Sequence, residues 1–66
     1  MIYLSKFYDL LHKSVTVTLI PAGGATTCYY HGPVSKIPDG YDNYVVTDFH
    51  MRGDGSLVFY IVKHQN

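Results

Sequence analysis

The chain has 66 residues, of which five are lysine or arginine and five are aspartate, so its formal net charge at pH 7 is zero. A chain of this length forms one domain, and it buries only about 60% of the surface that its unfolded form exposes. The balanced charge excludes the strong, nonspecific attraction to nucleic acid that a basic protein shows.

So small a core usually needs support from disulfides, a metal or self-association. Cys28 is the only cysteine, so no disulfide forms within one chain and nothing indicates an oxidising compartment. We therefore expect a homo-oligomer. No apolar run is long enough for a membrane span and no signal-peptide pattern is present, so we expect a cytoplasmic protein.

The first segment has the spacing of an amphipathic helix. Apolar residues recur every three or four positions over about residues 3–13, with charged residues between them. The apolar positions are Tyr3, Leu4, Phe7, Leu10 and Leu11. This pattern predicts an N-terminal α-helix with one buried face.

The remainder of the chain has the pattern of four strands. From Val15 the period changes to two, since apolar residues alternate with threonines. Three further strands are predicted over residues 28–37, 44–51 and 57–63, and the strand over residues 28–37 is bent at Gly32-Pro33. The predicted fold is mainly β, with the helix followed by a small, strongly bent antiparallel barrel.

The fourth predicted strand is apolar at every position over residues 57–62. A strand of this kind needs cover on both faces. The barrel interior would cover one face. The other face requires either the N-terminal helix or a second subunit, and the sequence favours neither.

Residues 32–48 carry the most specific pattern in the chain. Its positions are Gly32, Val34, Ile37, Asp39, Asn43, Tyr44-Val45-Val46 and Asp48. This order of a glycine strand, a polar turn and an apolar strand closed by aspartate resembles the first motif of the Sm/LSm family, which includes the bacterial RNA chaperone Hfq. The family fold is an N-terminal helix with a bent, small barrel. Two departures from the family pattern are an extra residue, Pro38, and an acidic residue, Asp42.

The resemblance implies a homo-oligomeric module that binds single-stranded RNA at the loop between strands 2 and 3. In such a site Asp39 orients Asn43, Asn43 hydrogen-bonds a base and Tyr41 stacks on it. A base stacked on an aromatic ring contributes roughly 1–3 kcal/mol.

A phosphate contact would come from Arg52, Lys63 or His64. Arg52 lies in an echo of the second family motif at residues 51–54, whereas an alternative alignment matches residues 62–64 to the end of the family's fourth strand. Each predicted site residue also has a plainer interpretation. The loop residues are common turn formers, and Lys63-His64 is a solvated strand end.

Other motifs predict no chemistry. Arg52-Gly53-Asp54 matches an integrin-recognition tripeptide but is typical of a hairpin turn. Cys28 and His31 have the spacing of half a zinc site, and no second pair follows, so we expect no metal and no cofactor. No spacing selects a nucleophile with its base, and no phosphate-binding loop is present, so we do not expect an enzyme.

A second hypothesis uses the same fold without nucleic acid. Seven tyrosines in so short a chain suit protein contacts, because tyrosine combines apolar area with a polar tip. The chain would then be a small protein-interaction or regulatory module with an SH3-like barrel, encoded by a bacterium, a phage or a mobile element.

Overall fold

A computed structural model describes residues 2–23 and 27–64 of the chain. These residues form one short α-helix and four strands, which confirms the prediction of a mainly β fold. The helix α1 is Ser5–Tyr8, and the strands are β1 (Thr16–Pro21), β2 (Tyr30–Pro33), β3 (Tyr44–Met51) and β4 (Leu57–Lys63). Two 3-10 turns, Val34–Lys36 and Asp39–Tyr41, connect β2 to β3.

The four strands form one mixed sheet in the order β2-β1-β4-β3. Two antiparallel hairpins lie side by side, and the parallel pairing of β1 with β4 joins them. Within the described residues the edge strands β2 and β3 do not pair with each other, so the sheet is open. The fold therefore differs from the predicted antiparallel barrel.

The apolar composition of β4 suits its interior position in the sheet. Its residues are nearly all apolar, and as an interior strand it has β1 on one side and β3 on the other. The second predicted strand is much shorter than expected. It ends at Pro33, where the chain turns into the first 3-10 turn, so β2 is too short to reach around to β3.

The hydrophobic core lies on one face of the sheet. Because side chains alternate along a strand, every second residue of β1 and β4 points into it. The buried members are Leu4, Val17, Leu19, Val34, Leu57, Phe59 and Ile61. On the opposite face Val58 and Thr18 are also buried. The N-terminal helix packs on the core face, where the ring of Phe7 lies 4.9 Å from that of Phe59, and not on the opposite face of β4, as one of the two expected arrangements required.

The helix is shorter than the predicted segment of about residues 3–13. Only Ser5–Tyr8 is helical, and Leu10, predicted to face the core, is 77% exposed. No side chain caps the helix at Leu4. So short a helix is not stable by itself in water, and packing of Leu4 and Phe7 on the core holds it in place. No helix in residues 2–23 or 27–64 has the length and apolar character needed to cross a membrane.

Candidate functional site

The predicted base-binding loop folds as the second 3-10 turn and directs Tyr41 onto the core rather than away from it. The ring of Tyr41 lies 5.1 Å from the ring of Tyr44 and 5.6 Å from that of Tyr29, and Tyr29 and Tyr44 lie 5.7 Å apart. We call these three residues the tyrosine cluster. It covers the end of the core where β1 and β4 finish, and part of each ring remains exposed to solvent.

The other two loop residues of the predicted site are exposed. Asp39 begins the 3-10 turn and Asn43 follows it, immediately before β3. No hydrogen bond joins the two side chains in the part of the chain that the structure describes. The three residues of the predicted base-binding site, Asp39, Tyr41 and Asn43, therefore lie in one loop. The described residues lack the hydrogen bond by which Asp39 was expected to orient Asn43.

An acid-lined groove lies beside this loop. It has a volume of about 440 Å³ and is lined by Tyr8, Lys13, Val34, Ser35, Ile37, Asp39 and Asp42. The Oη atom of Tyr8 is buried there, and no group in the part of the chain that the structure describes lies within normal hydrogen-bond geometry of it. Burial, followed by the charge of Asp42, raises the pKa of Tyr8 to about 12. The two carboxylates make this groove unfavourable for a phosphate.

Two of the three predicted phosphate contacts lie at the same end of the sheet as the tyrosine cluster. Lys63 is opposite Tyr44 in the β3–β4 register, and the ring of His64 lies 5.5 Å from that of Tyr3. Arg52 lies at the other end of β3. Seven residue steps separate Met51 from Tyr44, or about 23 Å along an extended strand.

Arg52 instead borders a polar groove at the opposite end of the sheet. The groove has a volume of about 310 Å³, and its lining includes Ser14, Thr16, His31, Arg52, Asp54 and Ser56. Nδ1 of His31 is 2.8 Å from the hydroxyl of Thr18. Among the described residues, no three histidines, cysteines or aspartates lie close enough together to hold a metal ion.

The outer edge of β3 is a feature that the sequence patterns did not reveal. Its first half pairs with the N-terminal segment: the N–H of Leu4 donates to the carbonyl of Tyr44 at 2.7 Å, and the N–H of Val46 donates to the carbonyl of Ile2 at 2.8 Å. Beyond Val46 the strand has an irregularity in register, and no described strand pairs with its outer side from there to Met51.

The free part of this edge is apolar on its core side. Phe49 is 54% exposed and Met51 is 70% exposed, although the ring of Phe49 contacts Phe7 and Phe59 at centroid distances of 5.7 and 5.9 Å. An adjoining groove of about 180 Å³ is lined by Ile2, Phe7, Val46, Thr47, Asp48 and Phe49. We call residues 47–51 with this groove the β3 edge.

The backbone of the β3 edge points outward at alternate residues. Arg52 donates its N–H to the carbonyl of Ser56, the residue before β4, so in the alternating antiparallel pattern Met51 and Phe49 direct their N–H and C=O groups away from β4. The N–H of Phe49 bonds to the carboxylate of Asp48 at 2.8 Å. A side chain of this kind limits uncontrolled pairing of an exposed edge.

Compared with protein-family models, curated proteins and solved structures, the chain gives no match. Two surfaces of the described residues carry groups suited to binding, the tyrosine cluster with its loop and the β3 edge.

Proposed function

We propose that this protein is a small protein-interaction module that binds an extended polypeptide segment as an additional strand at the β3 edge. The observation that carries the proposal is the edge itself, where exposed Phe49 and Met51 accompany outward-facing backbone groups. Addition of a strand to a sheet edge supplies main-chain hydrogen bonds for affinity and side-chain pockets for specificity.

Both components are available at this surface. A strand placed alongside residues 47–51 would follow directly from the N-terminal segment, which already pairs with Tyr44–Val46 on the same side of β3. Its apolar side chains would cover Phe49 and enter the groove beside Phe7. The zero net charge suits a surface that recognises by shape and apolar contact rather than by long-range attraction.

The proposal is tested by selecting short peptides from a random displayed library against the wild-type protein. We expect selected sequences to alternate apolar and polar residues, and to shift the amide resonances of residues 47–51 in nuclear magnetic resonance spectra. Met51→Lys should abolish their binding. Leu10→Lys is the matched control, because Leu10 is an apolar residue of similar exposure, 77% against 70% for Met51, that does not line the groove. Selected peptides that bind both variants equally would overturn the proposal.

Single-stranded RNA binding is a second candidate, favoured by one observation. The tyrosine cluster lies at the same end of the sheet as Lys63, with the exposed amide of Asn43 beside it. Aromatic rings, an amide and a cation are the groups that recognise unstacked bases and their phosphates. An Sm-like mode of binding would also require a homo-oligomer and a closed barrel. Asp39 and Asp42 border the same loop and oppose phosphate binding, so we rank this function second.

The RNA candidate is tested by fluorescence anisotropy with oligo-U and oligo-A at low salt. Asn43→Ala and Lys63→Gln should weaken binding, whereas Arg52→Gln, at the other end of β3, should not. Asn43 and Lys63 are exposed, so their substitution leaves the core intact. No binding by the wild type, or equal losses in all three variants, would exclude RNA recognition at this loop.

A further inference from the structure

We infer that the strand that occupies the β3 edge is β3 of a second copy of this chain, antiparallel, with Phe49 opposite Phe49 of the partner subunit. The inference rests on the proposed function, because it names the partner for the same edge. It would join two four-stranded sheets into one continuous eight-stranded sheet across a two-fold axis, in which each copy presents the same surface.

The backbone restricts the register. Phe49 and Met51 face outward, so only an alignment that sets outward residues opposite outward residues can form hydrogen bonds. An axis through Phe49 meets this condition, since the two Phe49 residues exchange both of their N–H···O=C bonds. An axis between two adjacent residues would set an outward residue against an inward one and would leave these groups unpaired.

The side chains then select among the allowed registers. With the axis at Phe49, Asp48 lies opposite the partner's His50, and this pairing occurs twice. An axis at His50 would set two imidazoles against each other, and its one opposite-charge pairing would use Arg52, which lies beyond the end of β3. An axis at Asp48 would set two carboxylates against each other. Opposite charges across antiparallel strands are favourable and like charges are not. A neutral imidazole also provides one N–H donor for the carboxylate.

The hydrogen bond from the Phe49 N–H to Asp48 adds a requirement for the partner. A pairing strand must take over that N–H, so Asp48 loses its present donor. A favourable partner therefore supplies a new donor opposite Asp48. In a second copy of β3 that donor is the partner's His50. This residue is exposed in the single chain.

The apolar side of the edge is also covered in this register. Phe49 meets the partner's Phe49, and the partner's Met51 lies opposite Thr47, next to the groove formed by Ile2, Phe7 and Val46. The two most exposed apolar residues of β3 thus become contacts in both copies.

The test is sedimentation equilibrium of the wild type and a charge-exchange series. The wild type should sediment as a dimer, with twice the 7.5 kDa mass of one chain. His50→Asp should raise the dissociation constant about tenfold or more, since two favourable pairs become two carboxylate pairs. Combining His50→Asp with Asp48→His should restore the dimer, because the pairs are then exchanged rather than lost. Met51→Lys should weaken the dimer, and Leu10→Lys should not.

The outcomes distinguish a failure of self-association from a failure of peptide binding at the same edge. A monomeric wild type, or a dimer that the charge-exchange series leaves unchanged, overturns self-association through β3. If the wild type is monomeric and displayed peptides still shift residues 47–51, the edge binds other polypeptides and only the inference fails. If the dimer forms, and restoration occurs in the double variant, the inference is supported. Far-ultraviolet circular dichroism of each variant checks that it is folded before its association is measured.

Discussion

The hydroxyl of Tyr30 donates a 2.6 Å hydrogen bond to the carbonyl oxygen of Pro33, so the tyrosine side chain closes over Gly32 at the end of β2. A Cβ atom at position 32 would lie 2.8 Å from the Tyr30 oxygen. Gly32 also has a φ of +157°, which L side chains rarely adopt, so the close approach and the backbone conformation both favour a glycine here. It also lies where β2 gives way to the turns that lead to the predicted binding loop.

We expect Gly32→Ala to lower the free energy of unfolding by about 1–3 kcal/mol, because the alanine must adopt an unfavourable backbone conformation and displace the Tyr30 ring. The Tyr30 ring must move and loses its hydrogen bond. Urea denaturation measures the change, and Gly40→Ala is the control, since nothing lies within 4 Å of a Cβ atom there. In a Tyr30→Phe background the cost of Gly32→Ala should fall, because the closest atom is gone. Equal effects at positions 32 and 40 would contradict the packing argument.

The buried hydroxyl of Tyr8 should make stability depend on alkaline pH. Its pKa is raised from 10.0 to about 12, mainly by burial and then by Asp42, so the folded protein holds its proton more tightly than the unfolded chain does. Stability from this group is complete below pH 10.0 and is lost as the pH rises to about 12.

Tyr8→Phe removes both the hydroxyl and this dependence. At neutral pH the variant should be as stable as the wild type or more so, because an unpartnered buried hydroxyl is removed. As the pH rises from 10.0 towards 12, the free energy of unfolding of the variant should increase relative to that of the wild type. Paired urea titrations at neutral and alkaline pH measure the difference, and a difference that stays constant with pH would refute the assignment.

The strands could be predicted closely where their pattern is local. The predicted bounds of the third and fourth strands are those of β3 and β4, since a turn that contains Gly53 and Gly55 separates the two apolar runs. The parallel partnership of β1 with β4 could not be predicted in this way. It pairs Val17 with Leu57, forty positions apart in sequence, and alternation within one strand carries no information about its neighbours.

The same limit applies to the candidate sites. The loop that contains Asp39, Tyr41 and Asn43 lies between β2 and β3, where the sequence placed it. The contact between the rings of Tyr29 and Tyr41 could not be predicted, because it depends on how the chain folds back between the two residues. The exposure of Phe49 at the β3 edge could not be predicted, because an apolar residue at this position is equally typical of an interior strand. Its exposure follows only from the order of strands in the sheet.

Tyr41 should contribute to stability through the tyrosine cluster. Tyr41→Ala removes two ring contacts and part of the core cover, so we expect a loss of about 1–3 kcal/mol, below the range for a fully buried aromatic. Tyr41→Phe keeps the ring and should be nearly neutral. Asn43→Ala is the exposed control in the same loop. Thermal and urea denaturation measure these differences, and a neutral Tyr41→Ala would show that the ring contacts do not support the fold.

Asp54 should stabilise the β3–β4 turn in a manner that depends on acid. Its Oδ1 atom accepts hydrogen bonds from the N–H and the hydroxyl of Ser56, at 2.9 and 2.7 Å, and these bonds lower the pKa of the carboxyl. A lowered pKa means that the stabilisation is present at neutral pH and is lost as the pH falls through the folded-state value. Asp54→Ala should therefore be less stable than the wild type at neutral pH.

The difference between wild type and Asp54→Ala should shrink in acid, where the carboxyl is protonated in both folded and unfolded chains. Asp9→Ala provides the control, because Asp9 is an exposed aspartate outside the turn. Hydrogen exchange at Ser56 and Gly55 gives a local readout, since Gly55 donates to the Arg52 carbonyl within the same turn. Faster exchange at both amides in Asp54→Ala, with Asp9→Ala unchanged, is the expected result. Unchanged exchange in both variants would mean that backbone hydrogen bonds alone hold the turn between β3 and β4.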